Sequence, residues 1–202
     1  MNIGIMGGTF DPVHYGHMVI AECARHEFQL DKVVFVPSGR PAHKKGHVIT
    51  DADHRYRMVE LAVAGNPFFE ISRAEVDRPG PSYAVDTLMD FQRSYGPEAG
   101  LYFITGADAI VEILNWKRVD EVMGLCSFIA ATRPGYSLPQ LKRAIRTLPP
   151  DFQKKIFTFE IPGIAVSSTE LRQRVQAGQP VKYLLPEAVE KYIFDQKLYV
   201  DL

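Results

Sequence analysis

Six short apolar runs, each followed by a polar loop or a stretch of helical periodicity, organise the chain. The runs cover residues 2–6, 32–37, 68–72, 100–105, 126–132 and 156–160. Val33-Val34-Phe35-Val36 and Phe128-Ile129-Ala130-Ala131 are apolar without alternation, as strands buried on both faces are. Helical spacing predicts helices near 16–28, 53–64, 82–95, 107–114, 139–147, 168–177 and 186–196. Strand-then-helix repetition predicts an α/β fold: a doubly wound, mostly parallel sheet with helices on both faces. Loops that follow strands in such a sheet converge on one cleft. Pro and Gly cluster at 37–46 and 79–81, too briefly to serve as domain linkers. The expected organisation is one domain over 1–202, with a small helical portion from about residue 165 onward.

Composition narrows the class. The 202 residues are 46% hydrophobic with a formal net charge of -1. That supports one sizeable core and argues against disorder. No overall basic field points to nucleic acid or an acidic membrane. No apolar run approaches the roughly 18 residues of a membrane-spanning helix. Met1 leads straight into a strand, without a signal-peptide pattern. Cys23 and Cys126 form no C-x-x-C pair and read as core thiols, so a cytoplasmic setting is expected.

Chemistry concentrates in the loops after the strands. Gly7-Gly8-Thr9-Phe10-Asp11-Pro12-Val13-His14-Tyr15-Gly16-His17 joins the first strand to the first helix. A helix start offers unpaired N–H groups and a positive dipole end. Glycines let the backbone approach an anion closely, and imidazoles three residues apart share one face of the first turn. The glycines fit neither G-x-G-x-x-G nor a P-loop, and no third ligand at metal spacing accompanies the histidines. Val166-Ser167-Ser168-Thr169-Glu170-Leu171-Arg172 reads as a capping box with Ser167 as N-cap and Glu170 at N3. With Arg172 one turn on, it makes a second phosphate cradle. In the Pro/Gly loop at 37–45, Lys44 or Lys45 can neutralise phosphate charge. Arg55 and Arg57 read as surface or salt-bridge residues, with support of that loop the alternative. Gly106-Ala107-Asp108 places a carboxylate at a helix start, where ribose hydroxyls are read. Trp116 is either core or a platform for a flat heteroaromatic ring.

His14-Tyr15-Gly16-His17 and the preceding Gly8-Thr9-Phe10-Asp11-Pro12 resemble the H-x-G-H and G-T-F-D-P signatures of the nucleotidyltransferase superfamily. Val166–Arg172 is similar to its I-S-S-T-x-x-R motif. Both occur in order, about 150 residues apart. Ser82-Tyr83-Ala84-Val85-Asp86-Thr87-Leu88, Gly106-Ala107-Asp108, Trp116, Arg133-Pro134-Gly135-Tyr136 and Tyr183-Leu184-Leu185-Pro186 extend the likeness. Nearly the whole chain resembles the bacterial nicotinate-nucleotide adenylyltransferases.

The resemblance implies a Rossmann-like fold and transfer of AMP from ATP to nicotinate mononucleotide, releasing pyrophosphate. It implies Mg²⁺ carried by the ATP, with no side chain assigned to it. His14, His17, Lys44 and Arg172 are the expected catalytic groups. Gly7, Gly8, Thr9, Phe10, Gly106 and Asp108 are expected on ATP, with Ser167, Ser168 and Thr169 on its phosphates. Thr9, His43, Lys44, Tyr83, Ala84, Trp116 and Arg133 are expected on the mononucleotide. The family usually carries Thr or Ser where Ala84 stands. Alternatives are an adenylyltransferase for nicotinamide mononucleotide or pantetheine phosphate, and a non-catalytic nucleotide-binding module. No nucleic-acid or membrane partner is expected, and self-association is left open.

Overall fold

All six apolar runs become strands of one parallel sheet in the computed structural model, which describes residues 1–42, 48–132 and 138–200. In chain order the elements are β1 (Asn2–Gly8), α1 (Tyr15–Glu27), β2 (Lys32–Pro37), α2 (Ala52–Val63) and β3 (Phe69–Ile71). Then follow α3 (Ala84–Tyr95), β4 (Gly100–Gly106), α4 (Ala107–Val111), α5 (Val119–Leu125) and β5 (Ser127–Thr132). The chain continues through α6 (Leu138–Ile145), α7 (Pro150–Gln153), β6 (Ile156–Glu160), α8 (Ser168–Gln176) and α9 (Glu187–Asp195). No helix of the described residues is long and apolar enough to cross a membrane.

Side-chain alternation along the strands builds two apolar layers. Val33 and Phe35 join Met6, Ala21, Met58 and Val59 on one face; Val34 and Val36 join Ile3, Ile5, Leu88 and Phe128 on the other. Burial on both faces is why these strands read as continuous apolar runs. Leu171, Val175, Val189 and Ile193 share the first layer with Met6 and Phe10. The carboxyl-terminal helices therefore pack on the same face as α1 and α2.

The strand order is β3-β2-β1-β4-β5-β6. The chain leaves β1 toward one edge, then returns to lay β4 against its other side. That reversal leaves a crevice beyond the carboxyl ends of β1 and β4, where open α/β sheets bind ligands. Gly7-Gly8 and Gly106 stand there.

Four local expectations change. Gly7 and Gly8 belong to β1, opposite Val36 and Pro37, rather than to the turn. α3 begins at Ala84, because Ser82 is held extended: its N–H donates to the Arg40 carbonyl at 2.8 Å. The helix expected over 107–114 stops at Val111 and gives way to a 3₁₀ turn, Ile113–Asn115. The short helices α5 and α7 were not anticipated. Seven and four residues long, they span too few turns for a periodic signal.

Candidate functional site

The β1–α1 junction holds both histidines at one helix start. His14 is the N-cap of α1, with extended backbone, and is buried. His17 is at N3. The His14 N–H donates to His17 Nδ1 at 3.2 Å. Nδ1 therefore acts as an acceptor, so in the neutral ring the proton sits on Nε2, from which it can be donated to a ligand. The two rings stack at 3.8 Å between centroids, and Phe10 meets His17 edge-on at 5.0 Å. Gly16 is required sterically: a Cβ there would lie 2.9 Å from His14 Nδ1.

The two segments expected to bind phosphate are bonded to each other. Ser168 Oγ donates to the Pro12 carbonyl at 2.8 Å, and Arg172 Nη1 donates to the Asp11 carbonyl at 2.8 Å. Arg172 Nη2 reaches Thr169 Oγ1 at 3.4 Å. The starts of α1 and α8 are thus joined into one cradle. Ser167 caps α8 as expected, accepting from the Glu170 N–H at 3.2 Å. The one O–H of Ser168 is used on Pro12, so what that residue offers an anion in this arrangement is its backbone N–H.

Beside this cradle lies a cavity of about 480 Å³, lined by Gly7, Gly8, Thr9, Ser38, Glu75, Tyr83, Ala84, Asp108 and Trp116 among others. It gathers Thr9, Tyr83, Ala84 and Trp116, four of the residues expected on the mononucleotide, with Asp108, which was expected on the ATP ribose. Trp116 packs edge-on against Phe103 and Phe128, at 5.5 and 5.8 Å; it is both core support and cavity wall. Ala84 is the first residue of α3, where the helix itself provides no acceptor for the backbone N–H. Lys117 Nζ sits 3.9 Å from the centre of the Tyr83 ring at the same cavity. His43, Lys44 and Arg133 lie outside the described residues. A larger cavity of about 610 Å³ lies around Arg40, Asp51 and Arg78; neither histidine lines it.

Arg55 corrects the surface reading and supports its alternative. The side chain is 1% exposed. Nε donates to the Thr50 carbonyl at 2.8 Å, Nη1 to Thr9 at 2.8 Å and Nη2 to Gly39 at 3.0 Å. One guanidinium thus ties the first motif to the loop after β2. Burial pushes its pKa down, while Asp11 and Asp51 oppose that shift; a guanidinium remains charged. The signal was present in the spacing, since Arg55 shares the buried face of α2 with Met58, Val59 and Val63. Gly39 is equally constrained, because a Cβ there would come within 2.2 Å of the Glu75 carbonyl.

Glu75 and Ser82 were not assigned a role. The Gly39 N–H donates to Ser82 Oγ at 3.0 Å, and Thr87 Oγ1 donates to the buried Glu75 carboxyl at 2.6 Å. Burial raises the Glu75 pKa above the usual carboxylate range, against the hydrogen bonds from Thr87 and Ser82. The folded state then holds this proton more tightly than the unfolded chain. Its stability falls as pH rises through the window above about 4.5. Glu75→Gln stays neutral and still accepts from Thr87. Thermal melts at about pH 5 to 8 should show the variant gaining on the native protein as pH rises. A gap that stays constant across the series contradicts this account.

The chain is similar to known proteins in both sequence and fold. A family model described as cytidylyltransferase-like matches residues 5–174. A "Probable nicotinate-nucleotide adenylyltransferase" of Moorella thermoacetica is 59% identical over 197 residues, covering 98% of this chain and 91% of the relative. A protein of the same name from Thermoanaerobacter sp. is 51% identical, covering 98% and 94%. The solved structure of Plasmodium falciparum nicotinic acid mononucleotide adenylyltransferase complexed with NaAD aligns with a TM-score of 0.78. It shares 20% identity, over 98% of this chain and 97% of that one, a likeness of fold.

Proposed function

The chain belongs to the cytidylyltransferase-like family and, within it, to the nicotinate-nucleotide adenylyltransferases, and from that premise we propose that it transfers AMP from ATP to nicotinate mononucleotide. The single observation that carries the reading is the joined cradle. Arg172 and Ser168 bond to the Asp11 and Pro12 carbonyls, so two helix starts and two histidines address one polyphosphate beside a cavity sized for a mononucleotide.

The 5′-phosphate of the acceptor attacks the α-phosphorus of ATP in line. A new P–O bond forms, the bond to the bridging oxygen breaks, and pyrophosphate leaves with its electron pair. The nucleophile is already an anion, so no protein nucleophile or strong base is needed, and catalysis is positioning plus charge stabilisation. His17 Nε2–H and His14 donate to the α-phosphate as charge shifts across it. Gly7, Gly8 and Thr9 hold that phosphate at the end of β1. The α8 start, Thr169 and Arg172 hold the β and γ groups. Asp108 reads the ATP ribose, and Tyr83, Ala84 and Trp116 take the pyridine end of the acceptor. Lys44 adds positive charge from the loop after β2. The position of Ala84 at the start of α3 favours recognition by its backbone N–H, for which the usual hydroxyl is dispensable. Among the described residues no group of three or more His, Cys, Asp or Glu is placed to hold a metal. Mg²⁺ fits here as a passenger on the triphosphate, keeping most of its waters and offsetting phosphate charge.

The test is incubation with ATP, Mg²⁺ and one acceptor at a time, following pyrophosphate. Turnover with nicotinate mononucleotide well above nicotinamide mononucleotide and pantetheine phosphate is expected. A preference for either of the others reassigns the acceptor, and silence with all three indicates a nucleotide-binding module.

A further inference from the structure

Tyr199 lies 188 residues from Asp11 along the chain, yet its hydroxyl donates to Asp11 Oδ1 at 2.8 Å. The residue is buried in the layer that also holds Met6, Phe10 and Met58. Its backbone is left-handed, with φ of 67°. A β-carbon disfavours that conformation, so the surrounding contacts must hold it there.

Asp11 is where those contacts converge. The carboxylate is buried. Its other oxygen, Oδ2, accepts from the Thr50 N–H at 3.3 Å. The Asp11 carbonyl meanwhile accepts from Arg172 Nη1, and the next carbonyl, of Pro12, from Ser168. Side chain and main chain of one residue thus face two partners. Tyr199 and Thr50 grip the carboxylate, and the peptide so oriented presents its carbonyls to α8. The two carboxylate contacts pin the Asp11 side chain in the core, and with it the Cα from which the carbonyl under Arg172 projects.

We propose that Tyr199 is a positioning residue for the triphosphate cradle. Through Asp11 it sets the carbonyl that aims Arg172. Tyr199 touches no substrate in this scheme, and its effect falls on ATP rather than on the acceptor. The inference rests on the assignment of Arg172 to the ATP phosphates.

Tyr199→Phe keeps the ring and removes only the hydroxyl. Equilibrium binding of ATP, measured by calorimetry below the melting temperature of the variant, should weaken about five- to thirtyfold, the part of a charged hydrogen bond's worth that reaches the phosphates through Asp11. In turnover the same factor should appear in KM for ATP, with KM for nicotinate mononucleotide unchanged. A merely structural tyrosine would lower the melting temperature and leave both constants alone, and that result overturns the proposal. Asp11→Asn keeps an acceptor for Tyr199 but loses the charge, and covers the case in which Tyr199→Phe folds poorly. It should weaken ATP binding by a comparable factor, and adding Tyr199→Phe to it should cost less than the same change costs the native protein, because the two act through one contact. Independent, additive losses would refute the coupling. The calorimetric arm needs no acceptor. A native protein that binds ATP without turning over nicotinate mononucleotide would sink the proposed reaction and leave this inference standing.

Discussion

Replacing His17 with Ala is expected to lower kcat by about 10²–10³-fold, the usual cost of losing one preorganised donor at a developing charge. The tautomer sets this expectation. His17 Nδ1 accepts from the His14 N–H, which leaves Nε2–H as the group that can reach phosphate. His17→Ala removes that donor and the helix cap together, so a second variant, His17→Gln, separates them. A glutamine at N3 can still accept from the N-cap N–H, restoring the cap without an imidazole Nε2. Both variants should fold, because a side chain at a helix entrance contributes little core. Both should show the same collapse of kcat in a pyrophosphate-release assay at saturating ATP and acceptor. Near-native turnover in His17→Gln would make the cap, rather than the donor, the important feature.

The largest effect on stability is expected at Arg55. Leu fits the apolar surroundings of Met58 and Val59 but leaves the Thr9, Thr50 and Gly39 carbonyls without the donors they have now. It also leaves the buried Asp11 carboxylate without its nearby positive charge. Breaking a buried charged network of this kind costs about 3–5 kcal/mol. For a domain of this size that lowers Tm by roughly 6–20 °C. Calorimetry of Arg55→Leu checks it. A shift of only a few degrees would mean that water replaces the guanidinium at those carbonyls. Activity should fall as well, since Thr9 and the loop after β2 lose their common anchor.

Strands β2 and β5 were legible because both of their faces are buried, and that leaves an unbroken apolar signature that needs no partner to be read. The first motif was legible for a local reason. Gly16, His14 and His17 lie within one helical turn, and their steric and hydrogen-bonding relations close inside it. Ser167 is similar, since a cap is made by residues three apart. The start of α3 was less legible, because Ser82 is held extended by Arg40, a residue far away in sequence. Arg55 reads as a surface residue when its charge is weighed above its position. Its helical spacing places it on the buried face, but the three carbonyls that make burial tolerable come from other segments.

The sequence by itself determined the strand-and-helix alternation, the two motifs at the starts of α1 and α8 and the residue types they carry. All of these depend on periodicity or on contacts within a turn. Tertiary structure alone decided that Ser168 and Arg172 bond to the Pro12 and Asp11 carbonyls. It alone placed Asp108 in one cavity with Tyr83, Ala84 and Trp116, and put Arg55, Glu75 and Tyr199 beneath the site. Those relations arise from a strand order that turns outward on either side of β1 and β4 and from the packing of the carboxyl-terminal helices on the face of α1 and α2. The packing of the carboxyl-terminal segment brings together groups as many as 188 residues apart, a separation across which no local pattern carries information.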